Sequence, residues 1–191
     1  MALKENVKNN SLVISLSKIR SSELFWVITF TVLTFLAAQV EIPTQPVPFT
    51  LQTMLVLLAG AFLGSRNGAY SQIVYLALGV IGIPVYAGFS FGLAKIFGPT
   101  GGYLLSFPFA AYLVGYIVEK KSGTLALILS FVLGQLLILF VGAAFLAVFM
   151  NGDFSKAMFN GVVIFSVWDI IKISAAVSIY KAVSKKYPKL P

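Results

Sequence analysis

The 191 residues are 59% hydrophobic and only 10% charged, with mean hydropathy +0.94, whereas soluble domains run about half apolar and about a quarter charged. No cysteine or histidine is present, which excludes disulfides, thiol catalysis, zinc sites of the usual kind and histidine proton relays; no Gly-Lys pair exists to build a Walker A phosphate loop. The net charge of +8 fits basic residues gathered at the cytoplasmic ends of membrane helices, not a nucleic-acid partner.

Residues 1–22 are polar and basic, carrying Lys4, Lys8, Lys18 and Arg20. Ser11 is placed to cap a short amphipathic helix with Leu12, Val13, Leu16 and Ile19 on one side, lying at the membrane surface. A disordered leader is the alternative. The long charged region and the lack of an Ala-x-Ala site make a poor signal peptide. Six hydrophobic segments follow, at 24–40, 50–64, 69–83, 102–118, 124–150 and 161–183. Several approach the roughly 20 residues that a spanning helix needs. The second and third are short, and Gly64 with Ser65-Arg66-Asn67-Gly68 favours two helices joined by a tight turn over one bent helix. The expectation is an all-α integral membrane protein: one six-helix domain over 23–184 and a basic tail over 185–191.

Basic residues alternate along this chain as the positive-inside rule requires. Lys4, Lys8, Lys18, Arg20, Arg66, Lys120, Lys121, Lys181, Lys185, Lys186 and Lys189 fall on one side, and only Lys95 and Lys156 on the other. Both termini are therefore predicted to be cytoplasmic. The first outer connector, Ile42-Pro43-Thr44-Gln45-Pro46-Val47-Pro48-Phe49, is stiffened by three prolines and should be non-helical. The second, residues 84–102, is aromatic and glycine-rich. Both are expected to fold over the mouth of the bundle, because irregular backbone at membrane depth needs protein or a water-lined cavity to satisfy it. A loop touching lipid headgroups through Phe89 and Phe91 is the plainer alternative.

Inside the last segment, Trp168-Asp169-Ile170-Ile171-Lys172 places a carboxylate and an ammonium three residues apart, on one helix face. Insertion scales put roughly 2.5–3.5 kcal/mol on each such residue at a bilayer centre. The pair must face the bundle interior, a polar cavity or each other. A self-neutralising pair that fixes helix orientation is one reading; solute binding is the other, since intramembrane ionisable groups mark substrate or ion paths. Ser166 extends that face by a further turn. Thr50 suits an N-cap, and Gln52 offers both donors and an acceptor at the predicted pocket mouth, for a capping network or a ligand. Gly98-Pro99-Thr100-Gly101-Gly102 leads into a helix N-terminus, where free N–H groups favour an anion such as a carboxylate, or it is a generic turn. Glycine at 60, 64 and 68 permits close backbone approach. Pro108 is expected to kink the fourth helix.

Four stretches together carry a resemblance: Val47-Pro48-Phe49-Thr50-Leu51-Gln52-Thr53, Gly82-Ile83-Pro84-Val85-Tyr86-Ala87-Gly88, Gly98-Pro99-Thr100-Gly101-Gly102-Tyr103-Leu104 and Asp169-x-x-Lys172. Over residues 24–183 the chain resembles BioY, the biotin-binding S component of energy-coupling factor vitamin transporters. The resemblance implies a six-helix S-component fold in a bacterial-type plasma membrane and high-affinity capture of biotin from outside. It implies coupling to a transmembrane T subunit and two ATPases, with no catalysis and no cofactor of its own. It also implies that Asp169 and Lys172 take part in the biotin site; biotin's thiophane ring and valeryl chain suit aromatic, apolar walls such as Tyr86, Phe89 or Tyr103. Two features depart from the family. Phe89-Ser90-Phe91 follows Gly88 where glycine is usual, and the Ala-x-x-x-Ala pattern that docks the T subunit has its nearest equivalent in Thr34-x-x-x-Ala38.

Two rivals stand beside this reading. One is a self-sufficient secondary transporter or channel with Asp169 as a proton or ion relay, against which no internal repeat is evident. The other is an intramembrane enzyme, for which the sequence offers no nucleophile–base pair.

Overall fold

A computed structural model of the protein describes residues 22–186. The expected surface helix in residues 1–22 and the end of the basic tail lie outside the described residues. Helix α1, Glu23–Gln39, buries Val27, Phe30, Thr31, Thr34, Ala37 and Ala38, a stripe at helical spacing. Thr34 and Ala38, the nearest equivalent of the family's docking pattern, are fully buried. Thr34 Oγ1 accepts from Gln72 Nε2 at 3.3 Å, and Thr31 Oγ1 donates to the Ser71 carbonyl at 2.9 Å. Both bonds tie α1 to the next helix.

After α1, strands β1 (Glu41–Ile42) and β2 (Phe49–Thr50) pair antiparallel, Glu41 opposite Thr50 and Ile42 opposite Phe49. The proline loop is thus the tip of a small hairpin, a pairing that composition did not announce. Helix α2 spans Gln52–Val80 and is broken at Gly64, where φ 80° and ψ −178° leave the helical region. Such a φ favours glycine. Gly68 comes so close to Gly60 that a Cβ there would lie 2.8 Å from the Gly60 Cα. Gln52 Nε2 reaches Tyr75 Oη at 2.6 Å. Residues this far apart in sequence meet only if the arms before and after Gly64 fold back on each other, as the two-helix expectation required.

The break frees the Ser65 amide, and Glu119 takes it: Oε1 accepts from Ser65 N at 2.6 Å and Oε2 from Ser65 Oγ at 3.0 Å. Glu119 therefore caps the second arm from another helix. Glu119→Ala is expected to lower stability by about 1–2 kcal/mol, read as a fall in thermal unfolding temperature in detergent. An unchanged melting temperature would show that water replaces the cap.

Helix α3 is the short Leu93–Ile96 within the second loop. Helix α4, Gly101–Lys120, carries Pro108 in its interior. Helix α5 is Thr124–Val148 and α6 is Phe154–Met158. The Asp153 carboxylate caps α6; the Lys156 amide it accepts from, at 3.0 Å, holds it below the usual carboxylate range. A wider π-helical turn, Phe159–Val163, precedes α7, Ser166–Lys186. The segment expected to be one helix from residue 161 is thus two pieces meeting at 42°.

Packing relies on small residues, as in membrane bundles generally. Gly60 abuts the Ala111 backbone, Gly115 the backbone at Gly64 and Ser65, and Gly142 the Tyr103 ring. The outer surface is apolar: Phe109, Leu125, Val167 and Ile170 are each at least 65% exposed, a belt that only lipid would solvate without penalty. α4 and α5 are long and apolar enough to cross a membrane, the bent pair ending in α7 is a third candidate, and α1 is apolar but shorter.

Candidate functional site

Between the two loops and helices α2, α4, α5 and α7 lies a cavity of about 650 Å³, within the range of small-molecule sites. Pro43, Pro46, Val47 and Pro48 close it from the first loop, and Tyr86, Ala87 and Ser90 from the second. Tyr103, Leu104 and Phe107 on α4, Ile138 and Leu139 on α5 and Phe165 before α7 form apolar walls.

These rings are fixed by their neighbours. Tyr103 Oη donates to the Gly161 carbonyl at 3.0 Å and Tyr86 Oη to the Leu76 carbonyl at 2.8 Å. Burial pushes the Tyr86 phenol up to about 12, so it stays a donor at any ordinary pH. Phe165 lies against Phe49, ring centroids 4.2 Å apart, and 6.4 Å from Tyr103. Gln39 straps the second loop down. Its Nε2 donates to the Tyr86 carbonyl at 3.1 Å, and its Oε1 accepts from the Phe89 amide at 3.0 Å.

The polar centre is Asp169 with Lys172, 4% and 8% exposed. Lys172 Nζ sits 2.7 Å from Asp169 Oδ1, donates to Thr53 Oγ1 at 2.8 Å and reaches the Thr50 carbonyl at 3.4 Å. That uses all three ammonium protons. The carboxylate is less well provided for: Oδ1 has only the ammonium, and Oδ2 has no hydrogen-bond partner. A buried charged acceptor left open is costly. It is the natural seat of a ligand N–H.

Of the residues singled out by sequence, Asp169, Lys172, Gln52, Thr50, Tyr86 and Tyr103 all line this cavity. Thr50 lies in β2 and its Oγ1 accepts from the Gln52 amide at 3.3 Å while donating to Gln52 Oε1 at 2.9 Å. With Nε2 on Tyr75, the Gln52 amide is mostly engaged in a local network. Phe89 does not line the cavity. A left-handed φ of 54° turns its ring out onto Phe35, 6.4 Å away, and leaves it 62% exposed.

Gly101 and Gly102 also stand apart from the cavity. They are packed against the Ile96 carbonyl and against Val141 and Phe145, so close helix contact accounts for their lack of side chains, while Gly98, Pro99 and Thr100 of the same loop line the cavity. The Ser166 side chain lies outside the described residues. Sequence reasoning passed over Thr53, Phe107, Gln135 and Phe165. For Gln135 a signal existed, since it is the one amide in the apolar run 124–150.

A second cleft of about 360 Å³ opens sideways between α1, the first arm of α2 and α7, lined by Trp26, Phe30, Leu33, Leu55, Phe62 and Ile179 among others. It holds no charged side chain, unlike the loop-covered cavity.

A helical bundle with a lipid-facing apolar belt, closed over a cavity holding a buried ion pair, is the architecture of a solute-binding membrane protein. Comparison narrows the class: the chain belongs to the BioY family, whose family model matches residues 8–189. It is 42% identical over 160 residues to a probable biotin transporter BioY of Pyrococcus horikoshii, covering 84% of this chain and 94% of that protein. It is 38% identical over 147 residues to the biotin transporter BioY of Thermotoga maritima, covering 77% and 86%. Among solved structures it is similar to the S-component for biotin from an ECF-type ABC transporter. That match has TM-score 0.80 and 28% identity, over 88% of this chain and 93% of the other.

Proposed function

We propose that the cavity captures biotin from outside the cell, and that the chain is the S component of an energy-coupling factor transporter rather than an enzyme. The observation that carries this is the open Oδ2 of Asp169 beside a fully engaged Lys172 ammonium, within a cage of aromatic walls. Biotin's ureido ring brings N–H donors to that acceptor. Its thiophane ring and valeryl chain match Tyr86, Tyr103, Phe107 and Phe165. Its carboxylate is repelled by Asp169 and points to the rim, where Lys95 is exposed.

Six spans underlie this reading: α1, the two arms of α2, α4, α5 and the bent pair ending in α7. The basic residues place both termini in the cytoplasm of a bacterial-type cell. A T subunit and two ATPases supply the driving force, since the chain has no Walker A loop. Their docking surface lies elsewhere than Thr34 and Ala38, which are buried.

Purified chain in detergent should bind biotin, and biotin at about 100 times its Kd should add about 2.7 kcal/mol of stability. Thiamine and riboflavin should leave the melting temperature unchanged. Equal shifts with all three vitamins, or none with biotin, would overturn the assignment. Biotin flux into liposomes holding the chain alone would mark a self-sufficient transporter instead.

A further inference from the structure

Gln135 is 4% exposed, lines the cavity, and its Nε2 has no hydrogen-bond partner. The other glutamines of the helical core have Nε2 bonded, although Gln72 Oε1, away from this cavity, is also without a partner. Gln52 Nε2 bonds Tyr75, Gln72 Nε2 bonds Thr34 and Ser71, and Gln39 Nε2 bonds the carbonyls of Phe35, Val85 and Tyr86. Burying an amide donor without a partner is unfavourable, and a Leu at this position would pack in hydrocarbon without that penalty.

Ile138 and Leu139, three and four residues on, line the same cavity, so the α5 face that carries Gln135 is the one turned to the ligand. Two buried polar atoms on the cavity wall are therefore unpaired: an acceptor, Asp169 Oδ2, and a donor, Gln135 Nε2. A ligand that brings a donor to one and an acceptor to the other relieves both.

We propose that Gln135 is a specificity-determining residue of the site, its Nε2 donating to the carbonyl oxygen of a bound cyclic urea whose N–H meets Asp169. This rests on the biotin reading and deepens it. A site that pairs one donor and one acceptor with adjacent C=O and N–H groups rejects analogues that invert either group, because its own buried atoms are then left unmet.

The test is competition between biotin and 2-iminobiotin, whose guanidinium at neutral pH puts a donor where the ureido oxygen accepts. It is run on the full chain as wild type, Gln135→Met and Gln135→Glu, with thermal unfolding checked without ligand. Gln135→Met should weaken biotin roughly 10- to 100-fold, the loss of one buried hydrogen bond, and cut the preference for biotin over 2-iminobiotin by about tenfold. Gln135→Glu should narrow or invert that preference, since a carboxylate accepts from the guanidinium. Wild type that binds biotin, with the preference unchanged in both variants, overturns the role of Gln135 alone. Wild type that binds no biotin sinks the biotin reading and this one together.

Discussion

Asp169→Asn is expected to weaken biotin binding by roughly 10- to 150-fold, measured by titration calorimetry on purified chain. A hydrogen bond to a charged acceptor contributes about 1.5–3 kcal/mol, which is about 10- to 150-fold in affinity. Beyond that, the substitution strips the counter-ion from Lys172, which is 8% exposed. Breaking a buried pair by removing one partner costs about 3–5 kcal/mol, so Asp169→Asn also melts earlier. Lys172→Met leaves the opposite charge unmatched and should destabilise similarly.

The double variant separates stability from binding. Asp169→Asn with Lys172→Met removes both charges, and a buried pair replaced by neutral groups is often close to neutral in stability. The melting temperature should recover while affinity for biotin stays low. A double variant that regains both would mean the pair only orients α7. Retained affinity in every variant would place the ligand elsewhere.

Gly115→Val should abolish the folded bundle, seen as loss of a monodisperse peak in detergent and of cooperative unfolding. A Cβ at Gly115 would collide with the backbone of Gly64 and Ser65. Those atoms cannot rotate aside as a side chain does, and they belong to the break that Glu119 caps. Overpacking elsewhere costs about 1–3 kcal/mol; against immovable backbone the loss should exceed about 3 kcal/mol. On the same helix Leu105 is 40% exposed, and Leu105→Val should stay within about 0.5 kcal/mol. Equal tolerance at both positions would mean that α4 and the α2 hairpin do not pack as described.

What the chain announces on its own is whatever hydrocarbon forces. Charged side chains are so costly there that Asp169 and Lys172 stand out by type alone. Gly64 followed by a polar tetrad signals a reversal, because little else in an apolar run tolerates the backbone a hairpin needs. The aromatic and proline-rich loops have to cover something. Phe89 shows the limit of such reading: composition makes it a wall, but one left-handed backbone angle turns the ring away from the cavity. Gly101 and Gly102 resemble an anion loop in sequence, yet their lack of a side chain serves α5 and the Ile96 turn.

Sequence by itself thus determined the solvent, the hairpin at Gly64 and the identity of the charged pair. Which oxygen of Asp169 remains open, that Lys172 is already satisfied by Thr53, and that Gln135 joins them were decided only by tertiary structure. The reason is physical. Transfer cost is a property of a residue and can be read one letter at a time, whereas satisfaction of a buried donor or acceptor depends on which atoms other helices bring within about 3 Å.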